Sequence, residues 1–188
     1  MTGVQTCALP IFFGKAIGRF LDGEFGTIDT VHPLLAAALY AGDRFETRKQ
    51  MLGHIAASDV VLFDRYTASN VAHQAAKLTG KDRQDLIEWI SCVESEVFDL
   101  PQLDLNILLD VPAEIAQELV LKKKPRDYTD QATDMHESDL DYLRAVRSLY
   151  QSLASCDAWR TVQVANAGEL RSISEIADEI WSIVQPRL

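Results

Sequence analysis

The chain has 188 residues, of which 47% are hydrophobic, and its 28 acidic and 18 basic side chains leave a net charge of −10. That length suits one domain with a sizeable core, and the acidic balance excludes general nucleic-acid binding, which needs basic surface to neutralise phosphates. No apolar run is long enough to span a bilayer, and Cys7, Cys92 and Cys156 show no paired spacing, so the expectation is a cytoplasmic protein with no membrane partner.

Residues 1–11, Met-Thr-Gly-Val-Gln-Thr-Cys-Ala-Leu-Pro-Ile, do not read as a domain start; they resemble the translation of a sequencing adapter and are expected to be a non-native leader. The domain is placed at 12–188, incomplete at its N-terminus. Gly14-Lys15 does not form a phosphate loop, because G-x-x-x-x-G-K-[ST] needs an upstream glycine, a preceding strand and a hydroxyl after the lysine. Here Phe12-Phe13 precede and Ala16 follows. Ile17, Phe20 and Leu21 instead stripe a short helix ending near Gly23. A long helix is expected from Thr30 to about Ala57, with Pro33 in its first turn and Leu34, Leu35, Ala38 and Leu39 buried. Tyr40 and Arg44 lie four apart on that helix; on periodicity alone they are a core ring and a solvated cation.

Val60-Val61-Leu62-Phe63 reads as a strand buried on both faces, and it stops at Asp64-Arg65. Ionisable groups at the carboxyl end of a parallel strand sit where open α/β sheets bind ligands. The helix that follows carries Ser69, Asn70, His73 and Gln74, and the spacing puts Asn70, His73 and Gln74 on one face. An acid–base pair alone is often only a surface ion pair, but a helix showing hydrogen-bonding groups on this face points to a site. The next helix, Asp82 to about Phe98, has a core stripe of Leu86, Ile90, Val93 and Val97. A second strand, Leu105–Leu109, ends in Asp110, and Val111-Pro112 opens another helix. Lys122-Lys123-Lys124-Pro125-Arg126 is by default a solvated charge run. A helix with Leu140, Leu143, Val146, Tyr150 and Leu153, a strand at Thr161–Ala165, and a helix from about Ser172 to Val184 with Ile173, Ile176, Ile180 and Val184 inward complete the chain. Strands alternating with helices imply a parallel sheet, with 60–63, 105–109 and 161–164 as neighbours.

Asp64-Arg65-Tyr66 with Ser69-Asn70 and Ala72-His73-Gln74, together with Ala41-Gly42-Asp43-Arg44-Phe45-Glu46, resembles the thymidylate kinases from about Phe12 to the C-terminus. The resemblance implies an α/β, P-loop-kinase-like three-layer parallel sheet, here without its first strand and phosphate loop. It implies a parent enzyme that phosphorylates dTMP to dTDP with ATP and Mg²⁺. By the same likeness Asp64 would organise Mg²⁺, Arg65 would bind the phosphates in transfer, and Arg126, in a lid near 122–137, would reach the phosphates of ATP. Tyr40 would stack on thymine and Arg44 would read it; Ser69, Asn70 and Gln74 would complete the substrate site, with His73 beside the sugar. A homodimer is expected, and a chain without a phosphate loop is expected to be inactive. The alternatives are a deoxynucleoside kinase and a non-catalytic nucleotide-binding or dimerisation module.

Overall fold

The structure, a computed structural model, describes residues 11–26, 30–121 and 139–188. The leader expected at 1–11 (except Ile11) and the lid expected at 122–137, with Arg126, lie outside the described residues. Contacts divide the described residues into two compact units, 11–26 with 30–102, and 103–121 with 139–188.

The first unit is helical: α1 (Phe13–Leu21), α2 (Pro33–Ala57), α3 (Thr67–Ala75) and α4 (Gly80–Cys92), which runs on into a single π turn, Val93–Val97. The start of α1 has backbone donors with no partner inside the helix, and Glu46 of α2 meets them, accepting from the N–H of Phe12 at 3.1 Å and of Phe13 at 2.8 Å. His32 caps α2 by accepting the N–H of Leu34, and Pro33 sits where its missing N–H costs nothing. Phe20 and Ala36, with Leu21, Val31 and Leu39 around them, form the core between α1 and α2.

The buried face of α2 is not the leucine stripe that periodicity suggests. Ala36, Ala37, Ala41 and Gly42 are buried, whereas Leu35 is 60% exposed. Helices α1, α3 and α4 all pack on α2, and small side chains are what let backbones approach on several sides. Gly42 is the tightest point: a Cβ there would stand 2.5 Å from the Phe13 ring.

Val60–Phe63 is a second departure. It forms no ladder with any described segment, and Leu62 is 73% exposed. Apolar β-branched sequence specifies an extended conformation, but a strand exists only where a neighbour takes up its N–H and C=O groups.

The second unit holds β1 (Asn106–Asp110), α5 (Ala113–Leu121), α6 (Leu140–Leu153), β2 (Trp159–Gln163), a short hairpin of β3 (Ala165–Asn166) and β4 (Glu169–Leu170), and α7 (Ile173–Val184). Strands β1 and β2 pair parallel, from Asn106 opposite Trp159 to Asp110 opposite Gln163. Asp110 is buried and accepts from Arg147 Nε at 2.6 Å, Gln151 at 3.0 Å and Gln163 at 3.2 Å, which ties α6 to both strands. The strand expected at Thr161–Ala165 begins earlier, at Trp159, and the chain then folds into the hairpin. Its turn residues Ala167 (φ 49°) and Gly168 (φ 88°) are both left-handed, as a two-residue hairpin loop favours. Ser172 and Glu175 form a capping box at the start of α7. No α7 residue is buried, and Ile173, expected inward, is 87% exposed because it stands in the first turn beside the capped end.

Candidate functional site

In the first unit the turn Asp64-Arg65 leads directly into α3. Both side chains are exposed, and Arg65 holds a left-handed backbone, φ 64°. That conformation is uncommon for a residue with a Cβ, and such strain concentrates at functional turns. The next residue turns inward. Tyr66 is buried, its ring centroid is 4.9 Å from that of Phe63, and its hydroxyl donates to the carbonyl oxygen of Pro101 at 3.1 Å. Burial pushes the Tyr66 phenol up to about 12.

Behind this turn lies a buried polar cluster. Glu94, in the π turn, is 2% exposed and pairs with Arg44 of α2: Arg44 Nη2 reaches Oε1 at 2.5 Å and Nε reaches Oε2 at 3.0 Å. The Nδ2 of Asn70, on α3, donates to Glu94 Oε1 at 2.8 Å and to the Ala37 carbonyl oxygen at 3.0 Å. These two acceptors settle which end of the amide is nitrogen. Asn70 Oδ1 is therefore left buried and without a hydrogen-bond partner among the described residues. An unmet buried acceptor costs about 1–3 kcal/mol, so this atom is suited to a ligand that brings a donor.

The structure thus brings together Arg44 and Asn70, which the sequence singles out separately. Tyr40 is half-buried one turn before Arg44 on α2, and Ser69 and His73 are half-buried on α3. Gln74 is buried and accepts from Lys77 Nζ at 3.1 Å. Asp64 and Arg65 stand at the approach to α3 and join no ion pair among the described residues. Sequence reasoning missed Glu94, although a signal was present. It falls four residues after Ile90 and eight after Leu86, so an acid occupies the next step of an apolar stripe. It also missed Arg48, whose Nε donates to the Asp99 carbonyl oxygen at 2.6 Å and whose Nη2 pairs with the Asp99 carboxylate.

Chemically, the cluster offers hydrogen bonds of both senses from buried groups, and the turn before α3 offers a free carboxylate beside a free guanidinium. The first suits a small neutral ring with donors and acceptors on its edge; the second suits phosphates. Comparison with known proteins agrees in kind. The family model "Thymidylate kinase" matches residues 13–180. A thymidylate kinase of Synechococcus sp. (strain JA-2-3B'a(2-13)) is 32% identical over 176 residues, covering 93% of this chain and 77% of its own length. One from Mycobacterium tuberculosis (strain ATCC 25618 / H37Rv) is 33% identical over 158 residues, covering 81% and 72%. The solved thymidylate kinase of Candida albicans superposes with a TM-score of 0.68 at 20% identity, over 99% of this chain and 80% of that one, a likeness of fold.

Proposed function

The chain belongs to the thymidylate kinase family, nucleoside monophosphate kinases with the P-loop kinase fold, and on that premise we propose how its residues serve the transfer of a phosphoryl group from ATP to dTMP. In that reaction a 5′-phosphate oxygen of dTMP attacks the γ-phosphorus of ATP. The bond from that phosphorus to the bridging oxygen breaks, and dTDP and ADP form.

The observation that carries the acceptor half is the buried cluster. Thymine presents an N3–H donor next to a carbonyl acceptor. Asn70 Oδ1 is an unmet acceptor, and the N–H groups of Arg44 that Glu94 does not take are donors, so the two side chains complement that edge. Tyr40 supplies a ring for stacking, and Ser69, His73 and Gln74 line the α3 side. The phosphates fall to Asp64 and Arg65. Arg65 binds phosphate oxygens through its planar fork, and Arg126, outside the described residues, is the second arginine we assign to the phosphates of ATP. Among the described residues there is no cluster of three metal-binding side chains. Mg²⁺ does not require one, since it is held by one or two carboxylates with substrate phosphates and water, and the exposed Asp64 carboxylate fits that role. When bound, the ion neutralises charge on the transferred group.

The 188 residues contain no G-x-x-x-x-G-K-[ST] segment, so no loop of that kind in this chain cradles the donor phosphates. Turnover by this chain alone is therefore expected to be indistinguishable from background, while dTMP still binds. No helix of the described residues is long and apolar enough to cross a membrane, and a cytoplasmic homodimer is the assembly we favour. A coupled assay of ADP formation tests the reading. Joining the first strand and phosphate loop of a full-length relative to residue 12 should create dTMP-dependent turnover. In that protein Arg65→Ala should lower kcat by roughly 10²–10³, the scale of one lost charge-stabilising donor. Robust turnover by the 188-residue chain would refute its inactivity. Absence of dTMP binding by either protein would refute the function.

A further inference from the structure

We propose that Glu94 is a positioning residue that sets base selectivity, by fixing which hydrogen-bonding atoms of Arg44 and Asn70 remain for the substrate. The inference rests on the reading of this site as the nucleotide-base site. One carboxylate accepts three bonds, from Arg44 Nε, Arg44 Nη2 and Asn70 Nδ2. Two consequences follow. The Arg44 N–H groups that Glu94 does not take, two on Nη1 and one on Nη2, remain available as donors, and Oδ1 of Asn70 is the amide atom left without a partner among the described residues. The cluster then shows only donors from Arg44 and only an acceptor from Asn70, and the amide cannot reverse without setting Oδ1 against both the Glu94 carboxylate and the Ala37 carbonyl.

The charge balance points the same way. Arg44 is 15% exposed and its charge is already matched by a buried carboxylate. An arginine neutralised in this way reads its ligand by hydrogen-bond direction and not by charge, which suits a neutral base and not a phosphate. The direction selects among bases. A 4-oxo pyrimidine, thymine or uracil, carries the N3–H donor and carbonyl acceptor that match. Cytosine carries an N3 acceptor and an amino donor at the same places, so it meets acceptor with acceptor and donor with donor. A purely structural ion pair would make no such distinction, since replacing it changes stability without regard to the ligand.

The test is calorimetric titration of the 188-residue chain with dTMP and with dCMP, for the unmodified protein and for Glu94→Gln, with Glu114→Gln as an exposed-pair control. Glutamine keeps one acceptor oxygen but turns an amide N–H on an Arg44 N–H and leaves the guanidinium charge unmatched, so the two-point grip that orients Arg44 is lost. The expected result is preference for dTMP in the unmodified chain and in the control, with the dTMP-to-dCMP affinity ratio falling about tenfold or more in Glu94→Gln. An equal loss for both nucleotides, or an unchanged ratio, would overturn the positioning role while leaving the site itself intact. No dTMP binding by the unmodified chain would overturn the site reading and this inference with it. Because breaking a buried pair can unfold a protein, a second measurement uses the unmodified chain. On adding dTMP, the Asn70 side-chain carbonyl carbon should shift in the NMR spectrum while its two amide protons stay in place. Movement of the amide protons with a still carbonyl would mean that Asn70 donates to the nucleotide, and would overturn the proposal.

Discussion

Arg65 carries a backbone cost that its side chain does not repay with an ion pair among the described residues. A left-handed residue with a Cβ is disfavoured by roughly 1–2 kcal/mol, and glycine escapes this while losing more chain entropy on folding. Arg65→Gly is therefore expected to stabilise the fold by about 0.5–1 kcal/mol in urea unfolding, and to abolish turnover in the protein given a phosphate loop. A variant both less stable and inactive would show that Arg65 has a packing role instead. Tyr66 makes the opposite kind of contribution. Burial raises its phenol to about 12, above the unfolded value near 10. The stability this supplies is complete below pH ~10 and lost as pH rises through ~12. Alkaline unfolding followed by phenolate absorbance should show that loss in the parent chain and a flatter limb in Tyr66→Phe. At this scale Asp64, Arg65 and Asn70 stand out in the sequence by residue type and spacing, whereas Arg44 reads by periodicity as a solvated cation and is singled out only by the family resemblance. The α4 stripe marks Glu94 as an acid on an apolar face, but its partners lie 24 and 50 positions away, and no local pattern reports a contact of that range.

Elements were legible where a period or a cap marks them and illegible where packing chooses between faces. Helices α1 and α2 lie close to their expected spans, and Ser172 starts α7 as its capping chemistry requires. The buried side of α2 was misread because leucine outweighs alanine in any hydrophobicity pattern, while close approach of neighbouring helices favours alanine and glycine. Two glycines separate these effects. Gly42→Ala places a methyl carbon against the Phe13 ring and should destabilise by about 1–3 kcal/mol. Gly18→Ala, inside α1 with nothing within 4 Å of the new carbon, should stabilise by about 0.5–1 kcal/mol. Thermal or urea unfolding of the pair, measured together, checks both signs. If Gly42→Ala were neutral, the Phe13 contact would not be the constraint it resembles.

For the molecule as a whole, charge is the variable to examine. A net charge of −10 repels itself at every separation inside the Debye length. Among the described residues the ion pairs that salt could weaken are mostly exposed, such as Arg19–Glu24, Lys81–Asp85 and Arg144–Glu114, and pairs so exposed to solvent add little to stability. Arg44–Glu94 and Arg147–Asp110, each with a buried carboxylate, are screened far less. Self-repulsion should dominate, so the unfolding temperature should rise between ~0.01 and ~0.15 M salt; a fall would show that surface pairs outweigh it. The α/β class and the parallel pairing of β1 with β2 were readable from alternation alone. The state of Val60–Phe63 was not, because sequence specifies which residues favour extension and not whether a neighbouring strand stands beside them.

The π turn at Val93–Val97 is the last turn of its helix, so its extra residue sets the direction in which the chain leaves at Phe98. One extra residue within a helical turn rotates each later side chain by about 100° relative to an uninterrupted helix. An alignment that slides this segment against an unbroken helix will pair the wrong residues from Phe98 onward, with no substitution to betray it. Outside Glu94, length more than side-chain identity is then what this stretch must keep. Deleting Ser95, an exposed residue, should anneal the helix, re-aim the Asp99 corner that receives Arg48, and remove dTMP affinity, while Ser95→Ala leaves it intact. Calorimetry on the two variants would distinguish a constraint on chain length from a constraint on chemistry.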